Sequence, residues 1–157
     1  MTVSMAEEKL IDILDELKPL FCEHYLEIAR HQEIIKLNPD YNKYFEMERN
    51  GSLLLTVARA DGKVIGYCFT FISPHLHYQD CLMALNDIIL IKKEFRKGFT
   101  AMKLIKFTEK CLEKRGVLKS HITLKIAHDF GKLLERMGYV AIERVYEKMF
   151  LNNKGGG

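Results

Sequence analysis

The strongest constraint on the fold lies in residues 84–112. An apolar run from Ala84 to Ile91 stops at a charged turn, Lys92-Lys93-Glu94-Phe95-Arg96-Lys97-Gly98, and an amphipathic pattern follows at once. Ala101, Leu104, Ile105, Thr108, Cys111 and Leu112 recur at the spacing of one helix face. The run itself is apolar enough for a central strand buried on both faces. Strand, tight basic turn and helix together aim backbone N–H groups and the positive end of a helix at a bound anion. Lys92, Lys93, Arg96 and Lys97 add side-chain charge to that backbone charge. The stretch predicts a phosphate-binding loop.

The flanking segments supply a mixed set of elements. Residues 5–30 carry helical periodicity, with Pro19 predicting either a kink or two short helices. Asn38-Pro39 predicts the start of a second helix, with Asn38 as N-cap, and Asn50-Gly51 its end. Leu53 to Ala60 and Val64 to Ile72 are β-rich runs around Asp61-Gly62, the dipeptide preferred in type I′ hairpin turns. A loop over 73–80 should lead into the central strand. Gly116 should stop the long helix, and His121 to Ala127 alternates as a strand does. Asp129 should cap a short helix through Met137, and Tyr139 to Phe150 should be extended. No strand is legible before Ala6. The predicted order is α-α-β-β-β-α-β-α-β, an α/β (α+β) fold with a mixed sheet and helices on both faces.

A chain of 157 residues makes one domain, assigned to residues 1–151, with residues 152–157 as a disordered tail or cloning scar. A net charge of +3 is too small to argue for nucleic acid or an acidic membrane surface. No apolar run approaches transmembrane length, and the amino terminus lacks a signal-peptide core. Cys22, Cys68, Cys81 and Cys111 have no C-x-x-C spacing and read as reduced, mostly buried thiols, which implies a cytoplasmic protein. His75-Leu76-His77, near Asp80 and Cys81, has the look of a metal site, but no second ligand pair accompanies it, and the expectation is no metal.

Two stretches carry a family resemblance. LIKKEFRKGFTAMKLIKF resembles motif A of the GNAT superfamily of acyl-CoA-dependent N-acetyltransferases, in which a strand runs into an R/Q-x-x-G-x-G/A loop. Ile91 and Arg96 fall on its V-x-P-x-x-R positions, Lys93 replaces the proline, Phe99 stands at the first motif glycine, and Gly98 comes one position early. LLERMGY, Leu133 to Tyr139, resembles the LYEKLGF signature that closes the GNAT core. The resemblance runs from Asp61 onward and is nearest to phage- and prophage-encoded members. It implies a GNAT-like central mixed sheet with splayed parallel strands.

Acetyl-CoA as co-substrate and an amine acceptor follow from that resemblance. It places coenzyme contacts at Leu90, Ile91, Arg96, Lys97, Gly98, Phe99, Thr100, Ala101 and Lys103. The pantetheine would continue the sheet between the parted strands as an added strand does. Asp87, a carboxylate in an apolar strand, is the candidate general base, against the alternative that Asp87 or Asn86 satisfies nearby backbone. His128 is a second candidate for the base or for coenzyme contact. The signature tyrosine that serves as general acid is Leu134 here. Tyr146 or Tyr139, or solvent, must then protonate the leaving thiolate, or catalysis has been lost. Tyr41, Tyr44 and Phe45 have two readings, core stripe or acceptor lining. The rival function is a catalytically silent coenzyme-binding protein that acts by contact, and a homodimer through the late strands stays open.

Overall fold

Five strands make one mixed sheet in the computed structural model, which describes residues 2–150. They are β1 (Val3–Glu7), β2 (Leu53–Ala60), β3 (Lys63–His75), β4 (Tyr78–Ile91) and β5 (Lys119–Ile122), and they lie side by side in sequence order. The first four are antiparallel neighbours, and β5 joins β4 in parallel. A parallel neighbour needs a crossover, and α3 (Thr100–Lys114) provides it. The remaining helices are α1 (Leu10–Ile28), α2 (Tyr41–Arg49) and α4 (Gly131–Arg136).

The sheet is covered on both faces. Leu10, Leu17 and Leu20 of α1 pack with Leu55, Val57, Tyr67 and Phe69, and Tyr44 and Phe45 of α2 close the same cluster. Leu104 of α3 meets Ala58, Ile65, Cys68 and Ile91 on the other side. Further along α3, Cys111 and Leu112 meet Leu54, Ile72 and Ala84. Each leucine buried this fully contributes about 1.5–3 kcal/mol, so α1 and α3 are held chiefly by their apolar faces. Asp61 and Gly62 both have positive φ, 47° and 81°, as the expected I′ turn between β2 and β3 requires. Gly116, at φ 74°, follows the C-terminal end of α3.

Several expectations are corrected. A strand does precede Ala6: β1 pairs with β2 from Val3↔Ala60 to Glu7↔Thr56. Five residues of mixed polarity at a sheet edge carry too little periodicity to stand out. Of the two readings of Pro19, the pair of short helices falls, because Pro19 sits inside one continuous α1. The second helix starts two residues late, because Asp40 and not Asn38 is the N-cap and accepts from Lys43 N at 3.0 Å. The 73–80 segment is no loop. Strands β3 and β4 continue through it and close at His75↔Tyr78. The buried central strands are β2 and β3, whereas β4 leaves Leu85 44% exposed. β5 stops at Ile122, and residues 126–128 form a 3-10 turn. Residues 139–150 form no strand. The tail assigned to 152–157 lies outside the described residues. No helix among the described residues is long and apolar enough to cross a membrane.

Candidate active site

Strands β4 and β5 pair only from Met83↔Lys119 to Asn86↔Ile122. Beyond that point β4 runs on to Ile91 without its parallel neighbour, so the two strands part after Asn86. The β3–β4 register also shifts here, from Phe69↔Ile88 to Thr70↔Asn86, which leaves Asp87 as the extra residue of a bulge. Buried Asn86 fixes the bulge: its Nδ2 donates to Cys68 Sγ at 3.0 Å and to the carbonyls of Phe69 and Ile88 at 3.1 Å each. Asn86 therefore satisfies the nearby backbone, while the Asp87 carboxylate meets a side chain. Tyr44 Oη donates to Asp87 Oδ2 at 3.3 Å. Loss of hydration pushes the Asp87 carboxyl up from its ordinary value, and the Tyr44 bond offsets part of that. Burial first, then the Asp87 charge, pushes the Tyr44 phenol up to about 12.

Downstream of β4, Lys93–Phe95 make a single 3-10 turn, and Gly98 takes φ 100° before α3 begins. Phe99 at the N-cap of α3 offers no side-chain cap. Lys103 N donates to Phe99 O, but the backbone N–H groups of residues 97–102 have no acceptor among the described residues. Such a run of free backbone donors is chemically suited to an anion, and Lys97 and Lys103 are exposed beside it. Thr100 and Ala101 form the first turn, and Leu90 and Ile91 are buried at the end of β4. Arg96 faces inward. Its Nε donates to Ile91 O at 2.7 Å, and its Nη atoms grip Glu27 at 2.6 and 2.8 Å. Arg96 thus ties the loop to the last turns of α1, and its hydrogen bonds, helped by its charge, hold the Glu27 carboxyl below the usual range.

A cavity of about 390 Å³ lies on the α1–α2 side of the sheet. Phe21, His24, Tyr41, Tyr44, Tyr67 and Phe69 supply aromatic walls, and Ile88 brings β4 into the lining. Tyr41 and Tyr44 therefore line a cavity, while Tyr44 and Phe45 also pack against the core. His24 is 8% exposed and lies 3.4 Å from the Tyr67 hydroxyl through Nδ1. Burial lowers its pKa to about 4, so it is neutral at physiological pH. His24 and Tyr67 are site residues the sequence reading missed. One histidine in an amphipathic helix carries no signal of its own, and Tyr67 looks like any β-strand aromatic.

The remaining candidates separate. His128 ends the 3-10 turn, exposed and within electrostatic reach of Glu27 and His24, so it lies toward the end of α1. Tyr146 is 85% exposed. Tyr139 donates to Glu109 Oε1 at 2.8 Å and shares a small crevice with Asn86 and Ile122, where the paired strands end. Leu134 is buried. Among the described residues no group of three or more His, Cys, Asp or Glu is placed to hold a metal, and His75 Nδ1 accepts from His77 N at the hairpin tip. Cys22 is exposed, unlike buried Cys68 and Cys111.

The sequence matches no protein-family model and no curated protein. Solved structures do match across nearly the whole chain. A ribosomal-protein-alanine N-acetyltransferase from Brucella melitensis biovar Abortus superposes with a TM-score of 0.71 at 21% identity, covering 95% of this chain and 99% of that one. An aminoglycoside acetyltransferase from an uncultured soil metagenomic sample gives 0.75 at 12% identity, covering 97% and 100%. Glucosamine-6-phosphate N-acetyltransferase from Arabidopsis thaliana gives 0.72 at 13%, covering 96% and 99%. At such identities the likeness speaks for the backbone arrangement, and the protein has the fold of the GNAT N-acetyltransferases.

Proposed function

We propose that the protein is an N-acetyltransferase that binds acetyl-CoA in the cleft between β4 and β5 and transfers the acetyl group to a primary amine. One observation carries this reading: two parallel strands part at a bulged carboxylate, directly upstream of an uncapped helix N-terminus. The residues suit the coenzyme. The N–H groups of 97–102, the turn at Gly98, and Lys97 and Lys103 match a pyrophosphate, while Arg96 braces the loop. Acetyl-CoA would supply the activated thioester. Asp87 takes a proton from the amine as its nitrogen bonds to the acetyl carbon and the carbon–sulfur bond breaks. Desolvation raises the basicity of Asp87, which suits that task. The departing thiolate takes its proton from solvent or from a tyrosine; Tyr139 is nearer the strand ends and Tyr146 lies in the exposed tail. The likeness of the two signatures to phage-encoded members belongs to the same reading.

Leu134, an apolar residue at the place of the signature tyrosine, favours one rival, a coenzyme-binding protein without turnover. Calorimetric titration with acetyl-CoA, followed by thiol release over a panel of amines, tests both. Binding should be saturable and should weaken at least tenfold in Gly98→Val, because a β-branched side chain at φ 100° reshapes the loop. Asp87→Asn should keep binding and lose roughly a hundredfold in turnover. Absence of binding at millimolar coenzyme refutes the site. Binding without thiol release from any amine selects the silent protein.

A further inference from the structure

The aromatic cavity carries information about the acceptor that the cleft does not. Resting on the acetyl-transfer reading, we propose that this cavity holds the acceptor, and that the acceptor is a small monoamine with an aromatic body rather than a polycation. The walls are preorganised for a flat apolar group. Phe21 meets Tyr67 edge-to-face at 5.5 Å and Phe69 at 5.8 Å. Tyr67 meets Phe69 at 5.6 Å and 89°, and Tyr44 meets Phe69 at 5.6 Å. Rings locked against one another leave π faces and edges directed at an occupant without further loss of side-chain freedom.

Charge sets the second half of the inference. The lining contains no carboxylate, and its charged members, Arg30, Lys36 and Lys125, are all cations. Lys36 donates to Gln32 O, and Arg30 lies 3.3 Å from Glu147, which itself lines no part of the cavity. The buried histidine among the walls is uncharged. An acceptor with several ammonium groups would lose hydration there and meet only like charge. A single amine escapes this conflict, because Tyr44 connects the cavity to Asp87, the carboxylate at the opening of the cleft. The amine would sit at the Tyr44–Asp87 edge beside Ile88, with its aromatic body against Phe21, Tyr41 and Phe69. A volume of about 390 Å³ falls at the small end of ligand pockets, which span about 300–1,000 Å³.

The test uses the full chain with phenylethylamine and spermidine as probes. Binding of each amine is followed without coenzyme by saturation-transfer NMR, and turnover by thiol release from acetyl-CoA. Phenylethylamine should bind saturably, and its kcat/KM should exceed that of spermidine at least tenfold. Leu37→Glu adds a carboxylate to the lining at a residue 40% exposed and tolerant of polarity, and it should narrow or invert that ratio. Leu37→Gln, which removes apolar surface without adding charge, should keep the preference for phenylethylamine. Equal or better turnover of spermidine by the unmodified protein overturns the inference and leaves acetyl transfer standing. So does failure of phenylethylamine to bind while acetyl-CoA binds. Saturable phenylethylamine binding without thiol release from any amine supports the cavity's preference and removes the transfer reading instead.

Discussion

At the scale of single residues, His24 and Asp87 are the two ionisable groups that the fold displaces most usefully. His24 is buried and Asp87 is a partly desolvated, surface-accessible carboxylate; lost hydration disfavours charge at both, with opposite consequences for proton binding. His24 has its pKa lowered from 6.5 to about 4, so the unfolded chain binds a proton more readily than the folded one between those values. Stability must therefore fall as pH drops from about 6.5 toward 4 and change no further on this account below that. The full shift corresponds to about 3 kcal/mol. Denaturant midpoints measured across that range should show the slope, and His24→Gln should flatten it. An unchanged slope in the variant would mean that another group sets the acid sensitivity. Asp87 has its value raised, so its proton-accepting form appears at higher pH than for an ordinary carboxylate.

Among the elements, the pairing of β3 with β4 matters most for the site. It holds the strand that leads into the anion loop, and it includes a contact that only glycine permits. A Cβ on Gly66 would lie 2.5 Å from Ile91 Cδ1 and 2.7 Å from Leu90 O. A side-chain end can move, but a backbone carbonyl in a ladder cannot move without parting the strands. Gly66→Ala should cost about 1–3 kcal/mol, seen as a lower denaturant midpoint at unchanged slope. Acetyl-CoA binding should weaken in the same variant, since Leu90 and Ile91 are displaced together. Helix α1 depends on its neighbour in a similar way. Lys9 provides no side-chain cap, and Glu48 of α2 accepts from Leu10 N at 2.5 Å instead.

For the whole molecule, Arg59 adds a charged tie between the amino-terminal segment and the sheet, beside the β1–β2 ladder and the apolar face of α1. Its guanidinium holds Glu8 at 2.7 and 2.8 Å, Glu16 at 3.0 and 2.9 Å, and the Gly62 carbonyl at 2.7 Å. The side chain is 19% exposed, so the cluster is only partly screened. Arg59→Met removes the bonded counter-charge of two carboxylates and should cost about 1–3 kcal/mol, a fall of roughly 2–10 °C in Tm. Bonding to Arg59 lowers the Glu16 pKa. That contribution is present above the ordinary carboxylate range and is lost as pH falls through the lowered value. The Tm gap between wild type and Arg59→Met should therefore narrow in acid.

What the sequence determined by itself is what local pattern encodes. Asp61-Gly62 set the hairpin, because few dipeptides accept positive φ twice. The face from Ala101 to Leu112 set α3, and the abrupt change from Ile91 to Lys92 set the basic turn. Those features were enough for the fold class and for the loop that could hold an anion. The tertiary structure alone decided the rest, because it depends on partners far apart in the chain. Pairing with β2 made a strand of Val3–Glu7. Bonds from Asn86 to Cys68 and Phe69 made a bulge and freed Asp87 to meet Tyr44. Glu27, 69 positions from Arg96, engaged that arginine in an ion pair with α1. Packing of α1 and α2 over β3 brought His24, Tyr44 and Tyr67 around one cavity. Periodicity records which face of an element is buried, whereas a site is made by which elements that face meets.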